Sequence, residues 1–161
     1  MAHKIHHFPE ISVVSGDIRV NIKLDRFSEQ FNRAQFELDS DVMTSMVRFM
    51  PMRDGTFINL TRAESAAIAG TGEVVAAVPP SGRFLYEGKT MVDEKTGSPW
   101  AKKDARKVLV SQYKGKTNAK ENLQYSRHKN PNAQSHWFDA AKKADGEKWI
   151  AKVKKTAGGG K

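Results

Sequence analysis

Residues 11–24 alternate between apolar and polar side chains. Ile11 and Val13, then Ile18, Val20, Ile22 and Leu24, hold one parity on either side of Ser15-Gly16-Asp17, while Asp17, Arg19, Asn21 and Lys23 oppose them. A period of two is the mark of a strand with one covered face. The stretch predicts two strands around a glycine turn, or one strand with a bulge, in a half-buried sheet. Asp25 then stands where a helix cap is expected. After it, Phe27, Phe31, Ala34, Leu38, Val42, Met46 and Phe49 recur three or four residues apart, and Phe36, Met43, Val47 and Met50 widen the stripe. That period belongs to a helix face. Pro51 closes a helix of about 25 residues, roughly 37 Å at about 1.5 Å per residue. A face that broad predicts either service to a core and to a neighbouring subunit or burial of both stripes in one core.

Beyond Pro51 the signals are shorter. Met52 to Phe57 is a turn with Asp54-Gly55 at its left-handed position. Phe57 to Ala69 is mixed, with a helical turn expected at its start and Ser65 to Ala69 entering a strand. Gly70 to Glu73 reads as a tight turn, and Val74 to Val78 as a buried strand closed by Pro79-Pro80. Phe84-Leu85-Tyr86-Glu87-Gly88-Lys89 is an aromatic turn. Met91-Val92 and Trp100 bracket a projecting hairpin tip at residues 93–98. Val108 to Val110 and Leu123 to Tyr125 are short strand candidates around the basic loop Lys114 to Lys120. Asn130-Pro131-Asn132 is expected to open a second helix with Ala133, Trp137, Ala140, Ala141 and Ala144 on its apolar face. Gly146 is expected to bend or break it.

Composition adds two bounds. With 161 residues the chain fits one domain with a real core. We expect a single α+β domain over residues 1–145, with 1–10 flexible, and a C-terminal extension over 146–161 whose end is flexible. There is no cysteine, so a disulfide frame and thiolate chemistry are excluded. No apolar run approaches the roughly 18 residues of a membrane span, and residues 1–7 lack a signal peptide's apolar centre. The expectation is a protein made in a cytoplasm, with no membrane.

Charge is lopsided. Residues 1–80 carry 8 Lys and Arg against 10 Asp and Glu, and residues 81–161 carry 19 against 8. The surplus points to a polyanion or an acidic protein as partner. Lys102, Lys103, Arg106, Lys107, Lys114, Lys116, Lys120, Arg127 and Lys129, with Tyr113 among them, are the candidates for DNA or an acidic ring. No helix-turn-helix, zinc-finger or RNA-binding signature accompanies them.

Catalytic signals do not assemble. Gly82 to Gly88-Lys89-Thr90 approaches a phosphate-binding loop, but five residues separate the glycines where the motif has four. Its backbone cradle has a fixed length, and Phe84, Leu85 and Tyr86 are bulky. Ser135 and His136 are neighbours that point apart on a helix. Glu37, Asp39 and Asp41 do not share one helix face. His3, His6 and His7 sit in a polar terminus. We expect no enzyme, no cofactor and no metal.

Four segments carry a resemblance. They are Gln35-Phe36-Glu37-Leu38-Asp39-Ser40-Asp41-Val42; Pro51-Met52-Arg53-Asp54-Gly55-Thr56-Phe57; Phe84 to Lys89 with Thr96-Gly97-Ser98-Pro99-Trp100; and Leu123-Gln124-Tyr125-Ser126 leading to Asn130-Pro131-Asn132 and Trp137-Phe138-Asp139-Ala140-Ala141. In this order, over about residues 35–144, the chain resembles the phage minor capsid protein 2 family. It departs at Gly82-Arg83, where the family has Tyr-Ala, and residues 1–24 extend beyond the match.

The resemblance implies an α+β subunit of a siphovirus head–tail connector, similar to neck or tail-completion proteins. It implies a homo-oligomeric ring, a hexamer with a dodecamer as the alternative. The partners implied are adjacent connector, portal-adaptor or tail-terminator proteins, with packaged DNA in the channel. The place implied is the virion neck. On that footing Phe84, Tyr86, Met91, Val92, Trp100, Trp137, Phe138 and Trp149 are interface candidates, since buried aromatics dominate interface energetics. The alternative is a stand-alone, non-specific nucleic-acid-binding protein using the basic second half.

Overall fold

The computed structural model describes residues 6–100 and 104–158. Along the chain come β1 (Ile11–Ser15), β2 (Ile18–Ile22), α1 (Asp25–Val47), α2 (Thr56–Ile68), α3 (Gly82–Glu87), β3 (Met91–Asp93), β4 (Lys107–Leu109) and α4 (Trp137–Thr156). The fold is α+β. Antiparallel pairs β1–β2 and β3–β4 form two separate sheets, while α1 and α4 pack along each other and α2 leans on α1.

Helix α1 starts one position earlier than a cap at Asp25 requires. Leu24 occupies the capping position, without a side-chain bond. Asp25 lies inside the first turn, where a carboxylate faces the positive end of the helix dipole. The helix runs 23 residues. Its last amides shift to shorter i→i−3 bonds, Phe49 N–H to the Met46 carbonyl and Met50 N–H to the Val47 carbonyl. That tightening precedes Pro51, whose ring disfavours helical geometry at Met50.

The core gathers the C-terminal half of α1 (Val42, Met43, Met46 and then Met50), Ile58 of α2, and Trp137, Ala141 and Trp149 of α4. Met46, Met50 and Trp137 are fully buried. Ion pairs staple the seam between α1 and α4. Arg48 lies 3.0 Å from the Asp145 carboxylate, Lys148 adds a second contact to it, and Lys152 pairs with Asp41 at 2.7 Å.

Several expectations need correction. Residues 65–68 are helix, not strand: Leu60, Arg62, Ala63, Glu64, Ala66 and Ala67 are strong helix formers, and α2 continues through them to Ile68, with Ala69 as its cap. Residues 74–78 form no strand. Their backbone groups find side chains instead of a ladder. The Val75 N–H donates to Ser65 Oγ, which in turn donates to the Val75 carbonyl. Trp137 Nε1 donates to the Ala76 carbonyl. The aromatic turn is the short helix α3, closed by Gly88 in the left-handed region.

Helix α4 begins at Trp137, not near Asn130. Asn130 turns its amide toward the end of α1 and donates to the Arg48 and Met50 carbonyls. Gly146 neither bends nor breaks α4, so the boundary expected at 145/146 falls inside a continuous helix. Asp145 and Trp149, buried against α1 on either side of the glycine, hold the turn that its backbone entropy would weaken. Leu123 to Tyr125 form no strand either. Only Asn122 bridges to Lys89.

The N-terminal hairpin departs most. Ile11 faces Ile22, Val13 faces Val20 and Ser15 faces Ile18, so the predicted alternation is present. The sheet is not half-buried, however: all ten strand residues are exposed. Its roots are held by residues 6–8, part of the terminus expected to be flexible. The His6 and Phe8 amides donate to Asn32 Oδ1 and Ser28 Oγ on α1, and Phe8 meets Phe31 edge-on.

Candidate functional site

The interface candidates divide by burial. Val92, Trp137 and Trp149 lie inside the chain's own core and present no surface to a neighbour. Trp137 is enclosed by its bond to Ala76 and by edge-on contacts with Tyr86 at 4.9 Å and Phe57 at 6.0 Å. Trp149 Nε1 donates to Ser45 Oγ. Phe84, Tyr86, Met91 and Phe138 are half-buried. Burial raises the Tyr86 hydroxyl pKa, and the charges of Asp139 and Glu87 raise it further. The Tyr125 hydroxyl, also raised by burial, donates to the Leu85 carbonyl. Only Trp100 is bare, at 88% exposure.

Trp100 follows a braced tip. Asp93 Oδ1 accepts from the Lys95 and Thr96 amides, and those bonds hold its carboxyl below the usual range. Thr117 Oγ1 donates to the Gly97 carbonyl. Tyr113 lies against Gly97 and Gly115, where an added Cβ would come within 2.6 Å of its ring. The basic loop thus folds over the tip of the β3 turn.

That packing sets where the cations fall. Lys114, Lys116 and Lys120 are exposed on the loop, and Arg106 and Lys107 are exposed at β4. Arg106 lies 3.7 Å from Glu94, so the patch is partly self-neutralised. Arg127 and Lys129 are exposed on a different segment, beside Asn130 and the end of α1. Lys102 and Lys103 lie outside the described residues. The sequence survey passed over exposed Lys142, Lys143, Lys154 and Lys155 on α4, because they are spread through a helical pattern read for its alanines.

Glu37, Asp39 and Asp41 of α1 each have a structural partner. Asp39 is buried; its Oδ2 accepts from the Gly70 and Gly72 amides and its Oδ1 from Gln35. Glu37 accepts from Thr156 across the α4 seam, a bond that lowers its pKa. His136 lies 3.4 Å from Glu87, and Ser135 does not bond to it. Among the described residues no three His, Asp or Glu side chains gather into a metal site, and no helix is long and apolar enough to cross a membrane.

What remains is uncovered apolar surface. Ile11, Val13, Ile18, Val20 and Ile22 share one face of the hairpin at 45–68% exposure. Phe27 and Phe36 on α1 are each more than half exposed, and Phe31 over a third. At the other end of α1 a groove of about 620 Å³ has Met52, Ile58, Leu60, Pro79, Leu85 and Leu123 among its walls. A second depression of about 470 Å³ shares Leu85 and Leu123 with it and extends to Phe84 and Met91. The sequence shows the amphipathic faces but carries no signal for what covers them. Compared with protein-family models, curated proteins and solved structures, the chain matches none.

Proposed function

We propose that the chain is a non-catalytic structural subunit of a tailed-phage head–tail connector, assembling into a ring in the neck between portal and tail. One observation carries the assembly part of this reading: an amphipathic hairpin whose apolar face stays exposed among the described residues. An isolated two-stranded hairpin is marginal in water, and its unpaired edges invite association. Such an element makes physical sense when neighbours complete it. The neck itself follows from the four sequence segments, whose residues hold the fold in recognisable ways. Asp39 ties α1 to the Gly70 turn. Gly55, with its positive φ, starts α2. Trp137 fills the core.

The basic surplus fits a secondary role, lining a DNA channel or meeting an acidic ring. Stand-alone nucleic-acid binding ranks second, because the candidate cations sit on two segments and Glu94 offsets Arg106. Two measurements test the reading. Particles made by the genome encoding this chain are purified and disrupted, and the polypeptide is sought in them; the expected result is its presence in a complex with neck proteins. Its absence from mature particles overturns the proposal. Submicromolar duplex binding by the isolated chain at near-physiological salt, with the steep salt dependence of phosphate contacts, favours the second reading.

A further inference from the structure

We infer that the apolar face of the β1–β2 hairpin of one copy seats in the apolar groove at the far end of α1 on the next copy. This inference deepens the proposed assembly and rests on it. The hairpin roots in front of Asp25 and the groove opens behind Val47, among Pro51, Met52 and Leu60. The 23 residues of α1 separate them by roughly 34 Å, at about 1.5 Å per residue. A five-residue strand reaches only about 17 Å, so a hairpin cannot fold back onto its own groove. The two surfaces can meet only between copies.

Both surfaces are apolar, and the hairpin face supplies part of an interface. Ile11, Val13, Ile18, Val20 and Ile22 offer on the order of 400 Å² of exposed surface, about half of the roughly 800 Å² that each partner contributes to a standard interface. Phe27, at the hairpin's end of α1, adds to that face. The groove and its neighbouring depression share Leu85 and Leu123, so the two largely apolar surfaces lie side by side. Because donor and acceptor surfaces differ, the contact is heterologous, and repetition closes a ring or extends a filament.

The absence of cysteine permits a clean cross-linking test on the full chain. Val20 and Leu60 are both about half exposed, so cysteines there should leave the fold intact. The chain carrying Val20→Cys and Leu60→Cys is expected to give a ladder of disulfide-linked dimers, trimers and larger species under mild oxidation. Each single variant is expected to give none. Dimers formed as readily by Val20→Cys alone would mean hairpin against hairpin and overturn the inference. In parallel, Ile18→Glu and Leu60→Glu should each weaken self-association at least tenfold by sedimentation without lowering the melting temperature. Mixed one to one, they should recover a dimer, because each retains the surface the other lacks. No recovery, or a wild-type chain monomeric at every concentration with no ladder, overturns the pairing. Incorporation into particles is measured separately, so failure here does not decide the neck assignment.

Discussion

The two halves of α1 share one hydrophobic period and meet opposite fates. In the C-terminal half, Val42, Met43 and Met46 are buried against α2 and α4. In the N-terminal half, Phe27, Phe31 and Phe36 are at least a third exposed, beside a hairpin exposed on both faces. Periodicity reports that a helix has an apolar side; it does not say whether the covering surface belongs to the same chain. A helix whose stripe outruns its own core has one end dedicated to folding and the other available for association.

Substitutions can break that comparison. The largest effect is expected at Met46, which is fully buried. Met46→Ala should cost about 2–5 kcal/mol, the range for deleting a buried side chain into a cavity, read by urea unfolding of the isolated chain. Phe27→Ala, on the same helix and half exposed, should change monomer stability by no more than about 0.5 kcal/mol while weakening self-association. Equal destabilisation by the two would mean that the N-terminal half is core after all.

Next comes Asp39→Ala. It leaves the Gly70 and Gly72 amides without their acceptor, an omission worth about 1–3 kcal/mol for a buried donor. The loss should appear as faster hydrogen exchange at residues 70–72, well away from the hairpin.

The α1–α4 seam gives a pH prediction. Asp145 is held below the usual carboxylate range, first by the Lys148 hydrogen bond and also by Ser45 and the Arg48 charge. Glu37 is lowered first by its bond from Thr156. A carboxyl whose pKa is lower in the folded state binds its proton more weakly there than in the unfolded chain. Its stabilising contribution is therefore complete above the unfolded values, about 3.9 for Asp and 4.3 for Glu, and disappears as pH falls through the folded ones. Melting temperature should fall below about pH 4, and Asp145→Asn should flatten that fall.

A small gain is expected at Gly146. An added Cβ there would meet only Lys142, at an ordinary 3.7 Å, so Gly146→Ala should stabilise α4 by about 0.5–1 kcal/mol. A loss of stability would mean that the helix depends on the glycine.

Strong local signals were legible in the sequence. The strand character of residues 11–22, the length of α1 within a turn, the Asp54-Gly55 turn and the α+β class follow from periods of two and 3.6 and from glycine and proline punctuation. Helix α2 was misread where alanines could suit either state. The stretch at residues 74–78 looked like a strand because it is β-branched and apolar, yet its backbone partners are Ser65 and Trp137, which no local pattern can supply. Helix α4 passes Gly146 because Asp145 and Trp149 reach α1 across about a hundred residues of sequence. For the candidate site, the sequence marks aromatic residues without saying which way they face. Trp137 and Trp149 turned inward, Trp100 outward, and the groove at Leu85 and Leu123 exists only once distant segments converge.

The central claim is that the hairpin face is completed by assembly. Hydrogen exchange at residues 11–22, compared between the free chain and the chain within purified particles, tests it most directly. The account predicts rapid exchange in the free chain at amides not bonded between β1 and β2, and at least hundredfold slowing across the hairpin in particles. Equal exchange in the two states would contradict it.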